Sequence, residues 1–228
     1  MSSPTVSARP TGARLLDSIG TPWVAMLARA STAIGVAIII TFTADHAASF
    51  GFRMFGASAI VSGVVLVFAA LRSADARSWL LAQGALGIAA GLVAVLSPNA
   101  GLPFLVLLAS TWAAITGFLE LYLGLRARRA GSSRAASGTL GGTLAKDRLF
   151  VGGLTVLLAV AVLLIPIDYN LPYMGADKVE RFLTASVIVV GALGAYCAVL
   201  GVYLVIAAMS LRWADKADAA APAPESRS

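Results

Sequence analysis

Two opposite charges stand inside long apolar runs of this chain, where surrounding lipid would make each one costly. Arg29 follows Trp23, the start of its run, by six residues. At the helical rise per residue, that places it about 9 Å into a bilayer. Glu120 precedes the end of another run at Leu125 by five residues, a depth of about 8 Å. Gln83 follows Trp79 by four residues, at about 6 Å. If the three runs share one reference face, Arg29, Gln83 and Glu120 form a polar layer in one third of a helical bundle. An Arg29–Glu120 pair could gate a proton or solute path. It could equally be a structural pair, with Arg29 snorkelling toward the headgroups. One pair is thin support for a pathway, so the structural alternative carries more weight.

Other chemistry is sparse. His46, the single histidine, stands beside Asp45 in a short link between runs. Histidine changes charge near neutrality, so Asp45 and His46 are a candidate pH-responsive exterior, with a plain solvated loop as the simpler account. The single cysteine, Cys197, cannot form an internal disulfide, and no Cys/His cluster suggests zinc. There is no G-x-S-x-G, P-loop or H-E-x-x-H motif. The expectation is a protein that is not an enzyme, with no catalytic residues, no cofactor and no metal.

Six apolar runs must position these residues: Trp23–Phe42, Phe52–Leu71, Trp79–Leu96, Leu102–Leu125, Leu149–Ile165 and Phe182–Leu211. The chain is 59% hydrophobic and 12% charged over 228 residues. A soluble domain of this size cannot hide so much apolar surface, so a lipid bilayer is the expected partner. A span requires roughly 20 residues, which the runs supply; the last is longer than that and is expected to tilt or protrude. The first is too long for a signal-peptide core and lacks a convincing cleavage site, so it reads as a retained span.

Basic residues set the orientation. All but four of the 17 Lys and Arg residues fall on one side of the six-span arrangement. The exceptions are Arg53, Lys178 and Arg181 opposite, and Arg29 within a run. Both termini are therefore expected in the cytosol, with three outer loops. The basic residues flank helices without aromatic interleaving, which argues against nucleic acid despite the net charge of +6.

The organisation expected is a cytosolic tail at 1–22, two hairpins at 23–126, a flexible Gly-, Ser- and Ala-rich linker at 127–147, a third hairpin at 148–213 and a disordered tail at 214–228. A short interfacial helix over 11–22 is weakly signalled by Leu15, Leu16 and Ile19. The hairpins repeat. Trp23 and Gly35 recur as Trp79 and Gly91 at an offset of 56, and Gly63 and Leu71-Arg72 recur as Gly117 and Leu125-Arg126 at an offset of 54. The third hairpin echoes the spacing of Gly84 and Pro98 in Gly152 and Pro166. At these offsets neither charge repeats, because Arg29 maps to Ala85 and Glu120 maps to Leu66. Gly87-x-x-x-Gly91, Gly191-x-x-x-Ala195 and Gly194-x-x-x-Ala198 allow close helix approach, chiefly within the bundle. A membrane-protein partner or a second copy could also use such faces. The fold class is all-α: a polytopic membrane bundle of six transmembrane helices built from three related hairpins.

WLLAQGALGIAAGLVAVLSP at 79–98, followed by WAAITGFLELYLGLRAR at 112–128, resembles the HdeD family of small acid-resistance membrane proteins. WVAMLARASTAIG at 23–35 fits the same pattern, although this hairpin has FTADHA at 42–47 in place of an outer proline. The resemblance implies six spans, a bacterial inner-membrane location and a link to acid or envelope stress, and it implies no catalytic residues. Three classes stay open: a non-enzymatic stress-linked protein, a small transporter or channel with a polar path near Arg29 and Glu120, and a scaffold or accessory subunit of a larger membrane complex.

Overall fold

The computed structural model describes residues 22–72, 77–133, 139–175, 178 and 180–220. They form six long helices: α1 Pro22–Phe42, α2 Ala48–Arg72, α3 Arg77–Leu96, α4 Leu102–Ser133, α5 Thr139–Leu163 and α6 Ala185–Ala220. A small antiparallel hairpin, β1 Asn170–Met174 and β2 Glu180–Thr184, joins α5 to α6 and pairs Tyr173 with Arg181. Five of the helices contain stretches long and apolar enough to cross a membrane. In α5 the apolar stretch begins near Leu149, partway along the helix. The chain is an all-α polytopic membrane bundle, and its outward surface matches a lipid solvent. Ile38, Ile39 and Phe42 of α1, Leu107, Ile115 and Phe118 of α4, and Val202 and Ile206 of α6 are all exposed. Lipid tails cover such side chains at no cost in hydration.

Local sequence explains the breaks between helices. Pro98 follows the end of α3, where a ring without an N–H cannot extend the ladder. Gly101 then takes φ +87, a left-handed conformation that favours glycine, and its carbonyl accepts the Leu105 N–H at 3.3 Å to start α4. At the start of α2, Asp45 Oδ1 accepts the Ala47 N–H at 2.9 Å and closes an Asx turn.

The closest packing runs across the expected hairpins rather than within them. The three most extensive pairings are α2 with α3, α4 with α5, and α6 with α1, while α1–α2, α3–α4 and α5–α6 touch more lightly. The six helices therefore close into a ring, and α2 also reaches α4 and α6 across its centre. Glycine makes the close pairs. A Cβ on Gly63 would lie 2.7 Å from the Gly84 carbonyl oxygen and 2.9 Å from the Ile88 nitrogen. At Gly117 the same two roles fall to the Gly152 carbonyl at 3.0 Å and the Val156 nitrogen at 2.9 Å. At Gly201 they fall to Ala30 at 3.3 Å and Ile34 at 3.1 Å. One contact is thus built three times around the ring, as the repeat in the sequence requires. Arg212 lies over the Trp23 ring at 5.3 Å and adds a cation–π contact where α6 closes onto α1.

Gly87 and Gly91 face α2, and Gly194 faces Ile40 of α1, so these small residues serve intramolecular packing. Gly191 meets nothing within 4 Å, and Ala195 and Ala198 beside it are exposed.

Helices reach further into the connecting segments than composition suggests. The segment 127–147 read as a flexible linker is helical to Ser133 in α4 and again from Thr139 in α5. The Ala, Leu and Arg residues flanking the Gly-Ser stretch are good helix formers and carry the ladder inward. Residues 134–138 lie outside the described set. The tail read as disordered from 214 is helical to Ala220, and residues 221–228 lie outside the description. The N-terminal tail and its weakly signalled helix fall on residues 1–21, also outside it.

Candidate functional site

Small residues bring the helices close enough for long polar side chains to meet at the centre. Arg29 from α1, Gln83 from α3 and Glu120 from α4 converge there. Gln83 Nε2 donates to Glu120 Oε1 at 2.6 Å, and Arg29 Nη2 lies 3.7 Å from the same oxygen. Glu120 and Gln83 are each only 7% exposed. The Arg29 side chain is 17% exposed and is the more accessible end of the pair. The layer inferred from helical rise is therefore assembled in space, with Gln83 as the hydrogen-bonding member and Arg29 as a looser ionic one.

The repeat explains why Arg29 and Gln83 share a level. Ile34 and Ile88 play the same packing role, and 88 − 34 = 54, so Arg29 corresponds to Gln83. The offset of 56 taken from Trp23 and Trp79 pointed instead to Ala85, and packing corrects it. The tryptophans sit at the rim, where an anchor can shift by two residues without disturbing the glycine contact. On the other set of helices, Glu120 corresponds to Leu66 at the offset of 54 that Gly63 and Gly117 define. The polar layer is thus one level of a threefold repeat, with polar side chains at three of its positions.

A cavity of about 40 Å³ lies against this layer. Every helix contributes to its wall: Ala33, Ser62, Gly87, Thr116, Thr155 and Tyr196 represent α1 to α6 in order. Among the described residues, three polar groups on its wall end without a hydrogen-bond partner: Arg29 Nε, Trp112 Nε1 and Glu120 Oε2. The Trp112 ring is held edge-on by Phe55 at 5.3 Å. Thr155 bonds its own helix through the Val151 carbonyl at 2.7 Å and meets the Tyr196 hydroxyl at 3.1 Å. Cys197 is buried on the same wall.

Toward the β-hairpin end, the core is apolar. Phe52, Leu105, Val162, Val189 and Val190 are fully buried there and fill the bundle above the polar layer. The opposite end carries Arg72, Arg77, Arg126, Arg128 and Arg129.

A second buried carboxylate escaped the sequence reading. Asp147, 7% exposed, accepts a 2.7 Å hydrogen bond from the Tyr203 hydroxyl, and Tyr203 stacks on Phe150 at 3.9 Å. It lay in the segment taken as linker, so its burial had no signal beyond the nearby start of an apolar run. Thr155, Tyr196 and Trp112 were also missed, because uncharged polar residues inside spans are common and carry no cost signature. Asp45 and His46 lie apart from the central layer, at the opposite end of α2. Asp45 is exposed and engaged in its Asx turn, and His46 is half-exposed with its ring 6.3 Å from Phe50.

These features define a multi-pass membrane protein built on an internal helical repeat. A family described as a short repeat of unknown function (DUF308) matches twice, over residues 28–96 and 82–145, and the chain belongs to that family. The two matches begin 82 − 28 = 54 residues apart, the offset that the glycine contacts define. No curated protein and no solved structure matches the chain.

Proposed function

We propose that the chain is a non-enzymatic protein of the bacterial cytoplasmic membrane, with both termini in the cytosol, that serves in acid or envelope stress as HdeD-like proteins do. The observation that carries the non-transporting part of this reading is the internally paired polar layer. Arg29 and Glu120 neutralise one another beside a cavity of about 40 Å³. That space is too small for a metabolite-sized substrate, since ligand pockets usually measure several hundred Å³. The apolar plug of Phe52, Leu105 and Val189 lies between the layer and the hairpin end, which disfavours a continuous polar route.

Cells lacking the protein should lose viability in an acid challenge, and the wild-type chain should restore it. Equal survival with and without the protein would remove the stress role. A small transporter is the second reading, favoured by the unpartnered polar atoms on the cavity wall. Purified protein in liposomes should leave the proton leak at the level of empty vesicles. A leak that rises with protein and vanishes in Glu120→Leu would favour the transporter instead.

The orientation has its own test. A reporter active only in the cytosol should be active when fused at Ser137 or after Ser228, and silent near Gly175 in the β-hairpin link. Activity at Gly175 would reverse the orientation.

A further inference from the structure

We propose that the central cavity is a built water site, in which about three waters bridge Arg29 Nε, Trp112 Nε1 and Glu120 Oε2. The inference stands on the cavity and is independent of the cellular role proposed above. Three observations converge on it. The first is size. A water needs roughly 10–15 Å³ of such space, so a cavity of about 40 Å³ holds about three.

The second is the pattern of unmet groups. The guanidinium Nε–H and the indole N–H are donors, while Glu120 Oε2 is an acceptor, and all three are buried on one wall. Water both donates and accepts, so a short chain of it satisfies all three where a pure donor or a pure acceptor cannot. The Thr116 and Thr155 hydroxyls already donate to the carbonyls of Trp112 and Val151 at 2.7 Å, so toward cavity water they can only accept.

The third is charge. Arg29 and Glu120 lie 3.7 Å apart and balance one another, so a bound ion would leave net charge in the bilayer interior. A neutral ligand fits, and the volume limits it to water. Glu120 is then held on both oxygens, by Gln83 at Oε1 and by water at Oε2. The layer becomes a complete hydrogen-bonded network rather than a half-satisfied one.

Cys197 is the chain's single cysteine and lies on the cavity wall, so it reports on this space without a label. Full-length protein in lipid bilayers is transferred to D2O, and the infrared S–H stretch of Cys197 is followed, with Cys197→Ser fixing the assignment. The band should convert to S–D while the protein stays folded. Conversion should slow several-fold in Ser62→Leu, whose added side chain fills the cavity. Ser58→Leu, on the same wall, provides the comparison if Ser62→Leu fails to fold. Melting temperature identifies which variants are folded. A wild-type S–H band that persists until the protein unfolds would mean a dry cavity and would overturn the proposal. Exchange at the wild-type rate in every folded, filled variant would overturn it as well, since the exchange would then not pass through this cavity.

Discussion

Gly63→Val should destabilise the bundle more than any single change on its lipid-facing surface. The new Cβ would sit 2.7 Å from the Gly84 carbonyl oxygen and 2.9 Å from the Ile88 nitrogen. Both obstacles include backbone, so no rotamer change can relieve them and α2 must move away from α3. Overpacking of this kind costs ~1–3 kcal/mol, and the rigid neighbours here argue for the upper end. Gly117→Val should behave alike, because the Gly152 carbonyl and the Val156 nitrogen confront it in the same way. Gly201→Val should also be costly, since its nearest obstacle, Ile34 Cγ1 at 2.6 Å, belongs to a β-branched side chain with little χ1 freedom in a helix.

The controls lie on α1, α5 and α6. Gly35, Gly153 and Gly191 have no atom within 4 Å of a built Cβ. Their alanine variants should be neutral, or more stable by about 0.5–1 kcal/mol through reduced backbone freedom. Thermal unfolding in bicelles measures all six variants. Equal losses in the two groups would mean that the glycines act by helix propensity rather than by close packing.

Arg29→Met is the second large effect. It removes the only cation near Glu120 among the described residues and leaves that carboxylate without a charged partner, hydrogen-bonded by Gln83. Breaking one member of a buried pair costs ~3–5 kcal/mol, because the remaining charge stays in a poor solvent. Glu120→Gln should cost less. The stranded Arg29 is the more exposed partner, and its long stem can carry the guanidinium toward the headgroups. The order of the two losses is therefore part of the expectation, and chemical unfolding of each variant in the same lipid reads it.

The polar layer was legible because lipid makes it so. A charge inside an apolar run is conspicuous, and a fixed rise per residue converts its position into depth. Arg29, Gln83 and Glu120 were found that way, with no knowledge of which helices touch. The pairing of helices was not legible. Gly63, Gly84, Gly117 and Gly152 look alike in sequence whichever neighbour they face, and nothing local says that α6 closes onto α1. Register was read from conspicuous tryptophans, yet the invariant of the repeat is the glycine contact, two residues out of step with them. Asp147 was hidden for a different reason. Burial of a residue at the end of a span depends on how far the helices continue, and the Gly-Ser composition of the neighbouring segment masked that continuation.

The polar layer rests on Arg29 and Glu120 acting as one unit in the core. A double-mutant cycle in bicelles tests that most directly, using Arg29→Met, Glu120→Gln and the double variant. Glu120→Gln should be markedly less costly in the Arg29→Met background than in the wild type. The expected coupling is on the order of 0.5–3 kcal/mol, the range for residues in one buried network. Additive losses, with a coupling near zero, would show that the two charges are solvated separately and would contradict a paired polar layer at the centre of the bundle.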